Sequence, residues 1–367
     1  MTEILLTIFF ISVLLFFLGS GIWVALSMIG VSAIGMMLFT SRPVGDAMAT
    51  TIWGTSSSWT LTALPLFVWM GEILFRTKLS ENLFKGLSPW MQKLPGGLIH
   101  VNVVGCALFA AISGSSAATV ATVGKMSIPE LRKRNYPEKI LLGSLAGSGT
   151  LGLLIPPSII LIIYGVAVQE SIAKLFIAGI IPGIMIALIF MSYVIIWSLI
   201  NKKSMPKIIE EYSFFEKIKR SKQLLPVIIL ILAVIGSIYT GIATATEAAS
   251  LGVVGALILS YFQKSLTLKT FKSSLLGATK TSCMIAFILA GSTFLSLAMG
   301  FTGLPRNLAL WIQNMELSPY VLIFVLMIFY IILGMFLDGI SAVVLTMAII
   351  EPMIRQAGFD MIWFGIF

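Results

Sequence analysis

A cluster of small and hydroxylated residues interrupts an apolar stretch between residues 98 and 127. Its members are Ser113, Gly114, Ser115, Ser116, Thr119 and Thr122. Glycine allows the chain to turn sharply, and the oxygens exposed at such a turn can coordinate a cation, while the hydroxyls can donate to an anion. The alternative is structural, because Gly and Ser also let two membrane helices pack closely.

A second interruption contains two adjacent prolines, Pro156 and Pro157, after a glycine-rich segment at residues 147–152. Proline lacks a backbone N–H and restricts the residue before it, so a regular helix cannot run through this stretch. The carbonyls from Gly152 to Ile155 therefore lose their helical partners and could bind a cation. The helix that resumes afterwards presents a positive N-terminal end to an anion. A simple kink is the alternative interpretation.

Acidic residues occur at three places inside or beside apolar runs. Asp338 lies between two long apolar runs, and an ionisable residue within a membrane segment is a functional candidate; it could also cap the following helix. Glu247 follows Thr244 at the spacing of a capped helix start, which favours a structural role. Glu72 precedes Arg76 by four residues, the spacing of an ion pair on a helix.

The elements that position these residues must be membrane helices. The chain has 367 residues, only 11% of them charged, and a mean hydropathy of +1.03, whereas soluble domains average about 25% charged residues. Apolar runs long enough to span a bilayer occupy residues 4–39, 140–168, 175–200, 224–262 and 321–350. The net charge of +9 lies in short segments between apolar runs, so it indicates a membrane topology rather than nucleic-acid binding.

Several other classes of protein are disfavoured by composition. The two cysteines, Cys106 and Cys283, lie in apolar stretches and show no disulfide or metal-site spacing, and the single histidine, His100, has no ligand partner nearby. The chain has no phosphate-binding Gly-x-x-x-x-Gly-Lys-Ser/Thr loop. We therefore expect neither an enzyme nor an ATP-driven pump, and no cofactor.

The chain contains one unit twice, with the second copy about 220 residues after the first. Gly21-Ile22 matches Gly241-Ile242, and the turn at residues 113–116 matches residues 338–341. Basic residues concentrate in four stretches, which we place on the cytoplasmic side because Lys and Arg favour that side. These stretches are 76–95, 125–139, 201–222 and 261–280.

This placement leaves loops 40–50 and 302–320 outside and requires the second copy to be inverted, a common plan of secondary transporters. It also puts the N-terminus in the periplasm and the linker 201–223 in the cytoplasm, where the linker is expected to lie as an amphipathic helix on anionic lipid. Residues 98–112 and 115–127 are each too short to span, so they are expected to form a hairpin that enters and leaves on one side.

Several motifs together make the whole chain resemble the large membrane subunit of tripartite ATP-independent periplasmic (TRAP) transporters, the DctM-like family. The motifs are Leu64-Pro65-Leu66-Phe67, Ser113-Gly114-Ser115-Ser116, the run 144–183 through the double proline, Thr246-Glu247-Ala248-Ala249, and Phe336-Leu337-Asp338-Gly339. The resemblance implies an all-α polytopic membrane protein with an inverted repeat, re-entrant hairpins and broken helices that works as an elevator.

The resemblance also implies a division of the chain. Scaffold helices would occupy residues 1–60 and 224–280. Transport elements would occupy 61–168, with a hairpin at 98–127 and a broken helix at 140–168, and 281–367, with a hairpin at 321–354; a helix and the basic linker would fill 169–223. By the repeat, the second copy stops just after its hairpin, so we expect a truncated gene product that does not transport as given.

The implied function is sodium-coupled import of an organic anion (a C4-dicarboxylate, keto acid or sialic acid) across the bacterial inner membrane. A periplasmic (P-type) binding protein would deliver the anion, and a small (Q-type) membrane subunit would pack on the scaffold. No cofactor is implied beyond Na⁺ as the coupling ion. A stand-alone inverted-repeat anion symporter without a binding protein is the alternative.

Residues are assigned to sites by their positions in the family motifs. The first sodium site would use Ser113 with backbone of Gly152, Ile155 and Pro157, and a carbonyl at Ala110. The second would use Gly334 and Asp338. The substrate would lie near Ser115, Ser116, Gly149, Thr150 and Ser341.

Overall fold

Every regular element that the computed structural model describes is a helix. The described residues are 2–76, 79–206, 212–222, 224–303, 307, 318–335, 337 and 339–367. This confirms the all-α fold class expected from the sequence.

The first half contains eleven helices in the described ranges. They are α1 (Thr2–Gly19), α2 (Val24–Phe39), α3 (Val44–Ser56), α4 (Ala63–Phe75), α5 (Leu79–Met91), α6 (Ile99–Ser113), α7 (Ser116–Lys133), α8 (Glu138–Gly149), α9 (Leu151–Leu154), α10 (Ile159–Ala167) and α11 (Ile172–Ile200). A 3₁₀ turn, Trp59–Thr62, joins α3 to α4.

The second half begins after a 3₁₀ turn at Lys202–Ser204. Its described helices are α12 (Phe214–Ser221), α13 (Leu225–Tyr239), α14 (Ala245–Phe262), α15 (Leu268–Thr302), α16 (Pro319–Gly334), α17 (Gly339–Gln356) and α18 (Met361–Ile366).

Length and hydropathy suit these helices to a bilayer. Within the described ranges, α11, α14 and α15 are each long and apolar enough to cross a membrane, and four bent pairs of helices reach that length together. In one pair, the chain bends by 40° between α8–α9 and α10. In another pair, it bends by 53° between α3 and α4. The chain is therefore a polytopic membrane protein with broken helices.

Helices follow the same order in both halves. The pair α1–α2 corresponds to α13–α14, and the hairpin α6–α7 corresponds to α16–α17. Between these pairs, the described residues of the first half form α3, α4 and α5, with a bend between α3 and α4, whereas those of the second half include the continuous 35-residue helix α15. No proline interrupts α15, and its N-cap Thr267 accepts a hydrogen bond from the Thr270 N–H.

Helix α15 is continuous through residues 280 and 281, where the division between scaffold and transport elements was placed; that division stays a prediction. Lys269, Lys272 and Lys280 of the basic stretch 261–280 lie on this helix, because the turn before it ends at Thr267. The basic stretch is therefore mostly the first turns of a helix.

The two halves share one hydrophobic core. Helix α15 packs closely on α2, where a Cβ built on Gly291 would lie 2.8 Å from the Ala25 carbonyl oxygen. It also packs on α4, where the Trp69 indole Nε1–H donates to Ser274 Oγ at 3.3 Å. Small residues thus bring helices of different halves into direct contact.

The linker between the halves contains a helix that is shorter than expected. Helix α12 begins with a capping box, in which the Ser213 N–H donates to Glu216 Oε2 at 3.1 Å, and Phe214 and Phe215 are exposed. The helix contacts α5 through the Trp90 indole, which donates to Ser221 Oγ at 2.8 Å. Residues 207–211 and 223 of the linker lie outside the described residues.

A buried phenol links the broken helix to the C-terminal helix. The Tyr164 hydroxyl on α10 donates to the Met361 carbonyl at 2.6 Å. We expect Tyr164→Phe to lower the free energy of unfolding by about 0.5–1.5 kcal/mol, since a buried acceptor loses its donor. Thermal unfolding in detergent measures this, and the matched control is Tyr193→Phe at an exposed position on α11. Equal midpoints for the two variants would contradict the expectation.

Candidate functional site

The first hairpin turns at Gly114, between α6 and α7. Gly114 has a left-handed backbone conformation with φ of 58°, which favours glycine, and its N–H donates to the Ala110 carbonyl at 3.0 Å. Residues 98–127, expected to form a hairpin, lie in two helices that pack on each other; that both ends are on one side of the membrane stays a prediction. The second helix continues to Lys133, so Lys125 of the basic stretch 125–139 lies on α7.

Three oxygen atoms gather behind this turn. The hydroxyls of Ser113 and Thr119 lie 2.9 Å apart, and the Thr119 hydroxyl donates to the Ser115 carbonyl at 2.7 Å. Ser113 and Thr119 are both buried. Their oxygens keep lone pairs free to face a cation, because each hydroxyl has one proton and two acceptor positions.

The broken helix opens at the double proline. The residue four positions after Gly152 is Pro156, which has no N–H, so the Gly152 carbonyl lacks its helical donor. The Leu153 carbonyl faces Pro157 in the same way but accepts from Ser158 Oγ at 2.5 Å. The Ile155 N–H still donates to Leu151 at 2.9 Å. A hydroxyl thus replaces one of the two missing donors.

The hairpin turn lies directly on this break. The Ile159 N–H donates to the Gly114 carbonyl at 3.3 Å, and a Cβ built on Gly114 would be 2.7 Å from the Pro157 carbonyl oxygen. A Cβ on Gly152 would be 3.0–3.1 Å from the backbone of Ser115 and Ser116. Two glycines therefore allow the two backbones to touch.

Residues expected in the first sodium site lie around this contact. The Ala110 carbonyl, one of the expected ligands, already accepts from the Gly114 N–H, which leaves it one lone pair. The Ile155 side chain packs toward α11, where a Cβ on Gly183 would lie 2.8 Å from Ile155 Cγ1. Sodium binding at Ser113, Gly152, Ile155 and Pro157 stays a prediction.

The second hairpin, α16–α17, reaches the same broken helix from its own turn. A Cβ built on Gly339 would lie 2.9 Å from Ile160 Cδ1. Gly334 has open space beside it, and Ser341 is buried on α17. Asp338 lies outside the described residues, so its assignment to a second sodium site stays a prediction.

A cavity of about 300 Å³ lies between the two hairpin turns. Both turns, the start of α10, and the facing sides of α4 and α15 line it. Ser115 and Ser116 contribute from the first turn and Gly339 from the second, with Glu72 on α4 and Thr281 on α15. The cavity has the position expected for a substrate held between hairpin turns.

Three of the expected substrate residues lie outside this cavity lining. Gly149 packs against the Val120 side chain on α7, and Thr150 is exposed, with its hydroxyl bonded back to the Gly147 carbonyl at 2.7 Å. Ser341 is buried within α17 rather than facing the cavity. Gly149 therefore contacts the second arm of the hairpin, where a Cβ built on it would also lie 3.7 Å from the Ser116 carbonyl oxygen, while Thr150 faces the exterior.

An ion pair on α4 borders the cavity. Arg76 Nη2 lies 2.8 Å from Glu72 Oε2, which confirms the pairing expected from their spacing. A Cβ on Gly277 of α15 would lie 2.7 Å from that same carboxylate oxygen. The spacing of Glu72 and Arg76 predicts this pairing but not the place of Glu72 in the cavity wall. The signal for that place is the alignment of Val68, Glu72 and Phe75 on one helix face, at i,i+4 and i,i+3 spacings.

A family model for the DctM component of tripartite ATP-independent periplasmic transporters matches residues 9–367. The chain belongs to the DctM family. This confirms the resemblance seen in the motifs, and it makes the chain a transport protein rather than an enzyme. The two hairpins and the broken helix described above are therefore features of a DctM-family permease.

Relatives of this DctM-family chain cover most of its length. It is 32% identical to the C4-dicarboxylate TRAP transporter large permease protein DctM of Pseudomonas aeruginosa, over 91% of this chain and 78% of the relative. It is 30% identical to the sialic acid TRAP transporter large permease protein SiaM of Vibrio cholerae, over 95% and 81%. It is 29% identical to the isethionate TRAP transporter permease protein DctMQ of Oleidesulfovibrio alaskensis, over 95% and 55%.

Proposed function

We propose that this permease imports an organic anion across the bacterial inner membrane and that an inward flow of sodium drives the import. The observation that supports this most directly is the meeting of two hairpin turns and a broken helix around one cavity of about 300 Å³. Irregular backbone at membrane depth is stable only where protein buries it or water and solutes reach it. A cavity at this position is suited to a transported solute.

Helix polarity favours an anion in this cavity. Ser116, Ile159 and Gly339 all line it, and they are the first residues of α7, α10 and α17. A helix N-terminus carries partial positive charge and unpaired N–H groups, so three such ends facing one cavity favour a carboxylate. The substrates in the names of the relatives, a C4-dicarboxylate, sialic acid and isethionate, are organic anions.

The oxygen atoms behind the first turn suit sodium. A hard cation binds oxygen ligands, and the Ser113 hydroxyl and the Gly152 carbonyl supply oxygens from opposite sides of the contact between turn and break. Sodium bound there would hold the turn against the broken helix. Coupling follows, because the same contact forms one wall of the anion cavity.

Ser113→Ala tests the sodium site. Removing one ligand oxygen is expected to raise the sodium concentration for half-maximal uptake by roughly tenfold, equivalent to about 1.4 kcal/mol. The measurement is uptake of labelled anion at varied sodium under a constant membrane potential. Ser192→Ala, at an exposed serine of α11, is the control. Unchanged sodium dependence in Ser113→Ala would remove Ser113 from the site.

Contacts between distant segments support the inverted topology; we place the N-terminus in the periplasm because Lys and Arg concentrate on the other side. Arg42 lies 5.4 Å from the Phe301 ring centre, and Arg355 lies 3.7 Å from Glu170; all four residues belong to the side placed outside. On the opposite side, Lys217 of the linker lies 5.4 Å from the ring of Trp90. Every contact joins segments assigned to the same side.

The transport cycle we propose is an elevator with two partner proteins. A small Q-type membrane subunit packs on the scaffold and a P-type periplasmic protein delivers the anion. Exposed tryptophans at the ends of α2 and α3, Trp23, Trp53 and Trp59, support a position for the scaffold at the membrane interface. A relative named DctMQ supports association with a Q-type subunit.

Reconstitution of the full-length permease with its small subunit and binding protein tests the whole proposal. We expect uptake of a labelled anion only when an inward sodium gradient and the binding protein are both present. Uptake that needs sodium but no binding protein would instead indicate a stand-alone symporter. Uptake that ignores the sodium gradient would refute coupling.

A further inference from the structure

A second and larger cavity lies beside the hairpin cavity, on the side that carries the linker. It has a volume of about 860 Å³ and is bounded by α4, α5, α7 and the linker. Among the described residues, its basic lining residues are Arg76, Lys85, Lys125, Arg134 and Arg220, and its acidic one is Glu130. None of the transport steps above uses this cavity.

Basic side chains outnumber acidic ones among the described residues that line this cavity. Glu130 lies 3.7 Å from Arg134, and Glu72, beside the cavity, lies 2.8 Å from Arg76, so a described carboxylate accompanies each of these two arginines. Arg220 lies 4.2 Å from the ring centre of Tyr212, which holds its guanidinium at the rim. A concave, positively charged site beside a low-dielectric region concentrates anions.

A buried hydroxyl in the wall of this cavity points to a ligand. Thr122 lines the cavity, its side chain is only 3% exposed, and its Oγ1 has no hydrogen-bond partner among the described residues. A buried hydroxyl without a partner is unfavourable. The Thr122 hydroxyl can donate to an anion, and Lys125 lies three residues further along the same helix.

The two cavities are adjacent along α4 and α7. Phe75 lines both of them. Of the Glu72–Arg76 ion pair, Glu72 lines the hairpin cavity and Arg76 lines the basic cavity. On α7, Ala121 lines the first and Lys125 lines the second. An anion that leaves the hairpin turns along α7 would meet the basic cavity next.

We propose that the basic cavity is a second oxyanion-binding site, which holds a carboxylate through Lys125 and Thr122 on the cytoplasmic side of the hairpin cavity. Its role as the place an imported anion reaches on release rests on the proposed function. Binding itself does not, because it needs neither sodium nor partner proteins. The phosphate of a lipid headgroup presents the same chemistry, so the experiment must separate the two sources.

In the experiment, succinate is titrated into the permease in neutral phosphatidylcholine nanodiscs, in choline buffer without sodium. Binding is measured as the rise in the midpoint of thermal unfolding. Chloride at matched ionic strength is the control for salt. Lys125→Gln is expected to raise the half-saturating succinate concentration by about tenfold or more, since it removes a charged hydrogen bond. Lys272→Gln, at an exposed lysine of α15, is the matched control and should leave it unchanged.

Thr122→Val distinguishes a loss of succinate binding from a loss of folding. It removes the unpartnered hydroxyl, so the midpoint without anion should equal or exceed that of the unaltered protein, while the half-saturating succinate concentration rises severalfold. The proposal would be overturned if Lys125→Gln and Lys272→Gln had the same half-saturating succinate concentration. It would also be overturned if chloride stabilised the protein as much as succinate does.

Lipid composition identifies the source of the anion. The same titration is repeated with phosphatidylglycerol in the nanodiscs. If this lipid removes the Lys125-dependent effect of succinate, the oxyanion site is occupied by a lipid headgroup. If the effect of succinate is retained, the site binds the soluble carboxylate. Loss of sodium-driven uptake together with retained Lys125-dependent binding would count against the proposed function alone.

Discussion

Gly114→Ala is expected to reduce uptake by about thirtyfold or more while the protein still folds. A left-handed conformation costs a non-glycine residue about 1–2 kcal/mol, and Gly114 has φ of 58°. The added Cβ would also lie 2.7 Å from the Pro157 carbonyl oxygen and 2.9 Å from the Ile159 nitrogen. Both are backbone atoms that cannot rotate away, so the turn must withdraw from the broken helix.

The second hairpin supplies the matched control. Among the described residues, the tight contact of a Cβ on Gly339 is with Ile160 Cδ1, at 2.9 Å, which is the far end of a flexible side chain; the two Leu153 methyl groups lie at 3.7 and 3.9 Å, which is ordinary packing distance. Gly339→Ala is therefore expected to keep uptake within about threefold of the unaltered protein, because a rotamer change relieves the contact at about 0.5–1.5 kcal/mol.

The measurement is initial uptake by the reconstituted transporter, scaled to the amount of protein that elutes as a single folded species. A decrease of the same size in Gly114→Ala and Gly339→Ala would contradict the argument, since the two turns would then respond to added volume alone. Normal uptake in Gly114→Ala would show that the backbone contact with Pro157 and Ile159 is not needed for transport.

Features set by local sequence could be predicted before the fold was known. The turn at Ser113–Ser116 and the break at Pro156 follow from the backbone preferences of glycine and proline. Both are present at those positions. Spacing within one helix also predicts the Glu72–Arg76 ion pair. It likewise predicts the helix cap at Thr244, where the Thr244 N–H donates to Glu247 Oε2 at 2.8 Å. In each case the partners are at most a few residues apart.

Features set by packing between segments could not be predicted in this way. The basic cavity unites Arg76, Lys125 and Arg220, which the sequence presents only as separate cytoplasmic charges. The contact of Gly149 with Val120 on α7 and the exposure of Thr150 depend on how α8 packs against the hairpin, which glycine content alone does not show. Likewise, α3 and α4 bend at 53° while their counterpart α15 runs on, although both stretches are apolar.

Replacements at Gly152 are expected to reduce uptake in proportion to side-chain size. A Cβ there would lie 3.0 Å from the Ser115 carbonyl carbon and 3.1 Å from the Ser116 nitrogen, so Gly152→Ala requires the turn to shift by a few tenths of an ångström. Gly152→Val adds two methyl groups to the same contact. Overpacking of this kind costs about 1–3 kcal/mol, equivalent to roughly 5- to 160-fold in uptake, with Val near the upper end and Ala near the lower end.

Gly143, on the same broken helix, provides the control, because nothing lies within 4 Å of a Cβ built there. Gly143→Ala and Gly143→Val should leave uptake close to that of the unaltered protein. The sodium dependence gives the decisive comparison. If Gly152 holds the hairpin turn against the sodium ligands, Gly152→Ala must also raise the half-saturating sodium concentration. If Gly152→Ala lowers the maximal rate but leaves the sodium dependence unchanged, the contact is needed for movement of the hairpin and not for ion binding.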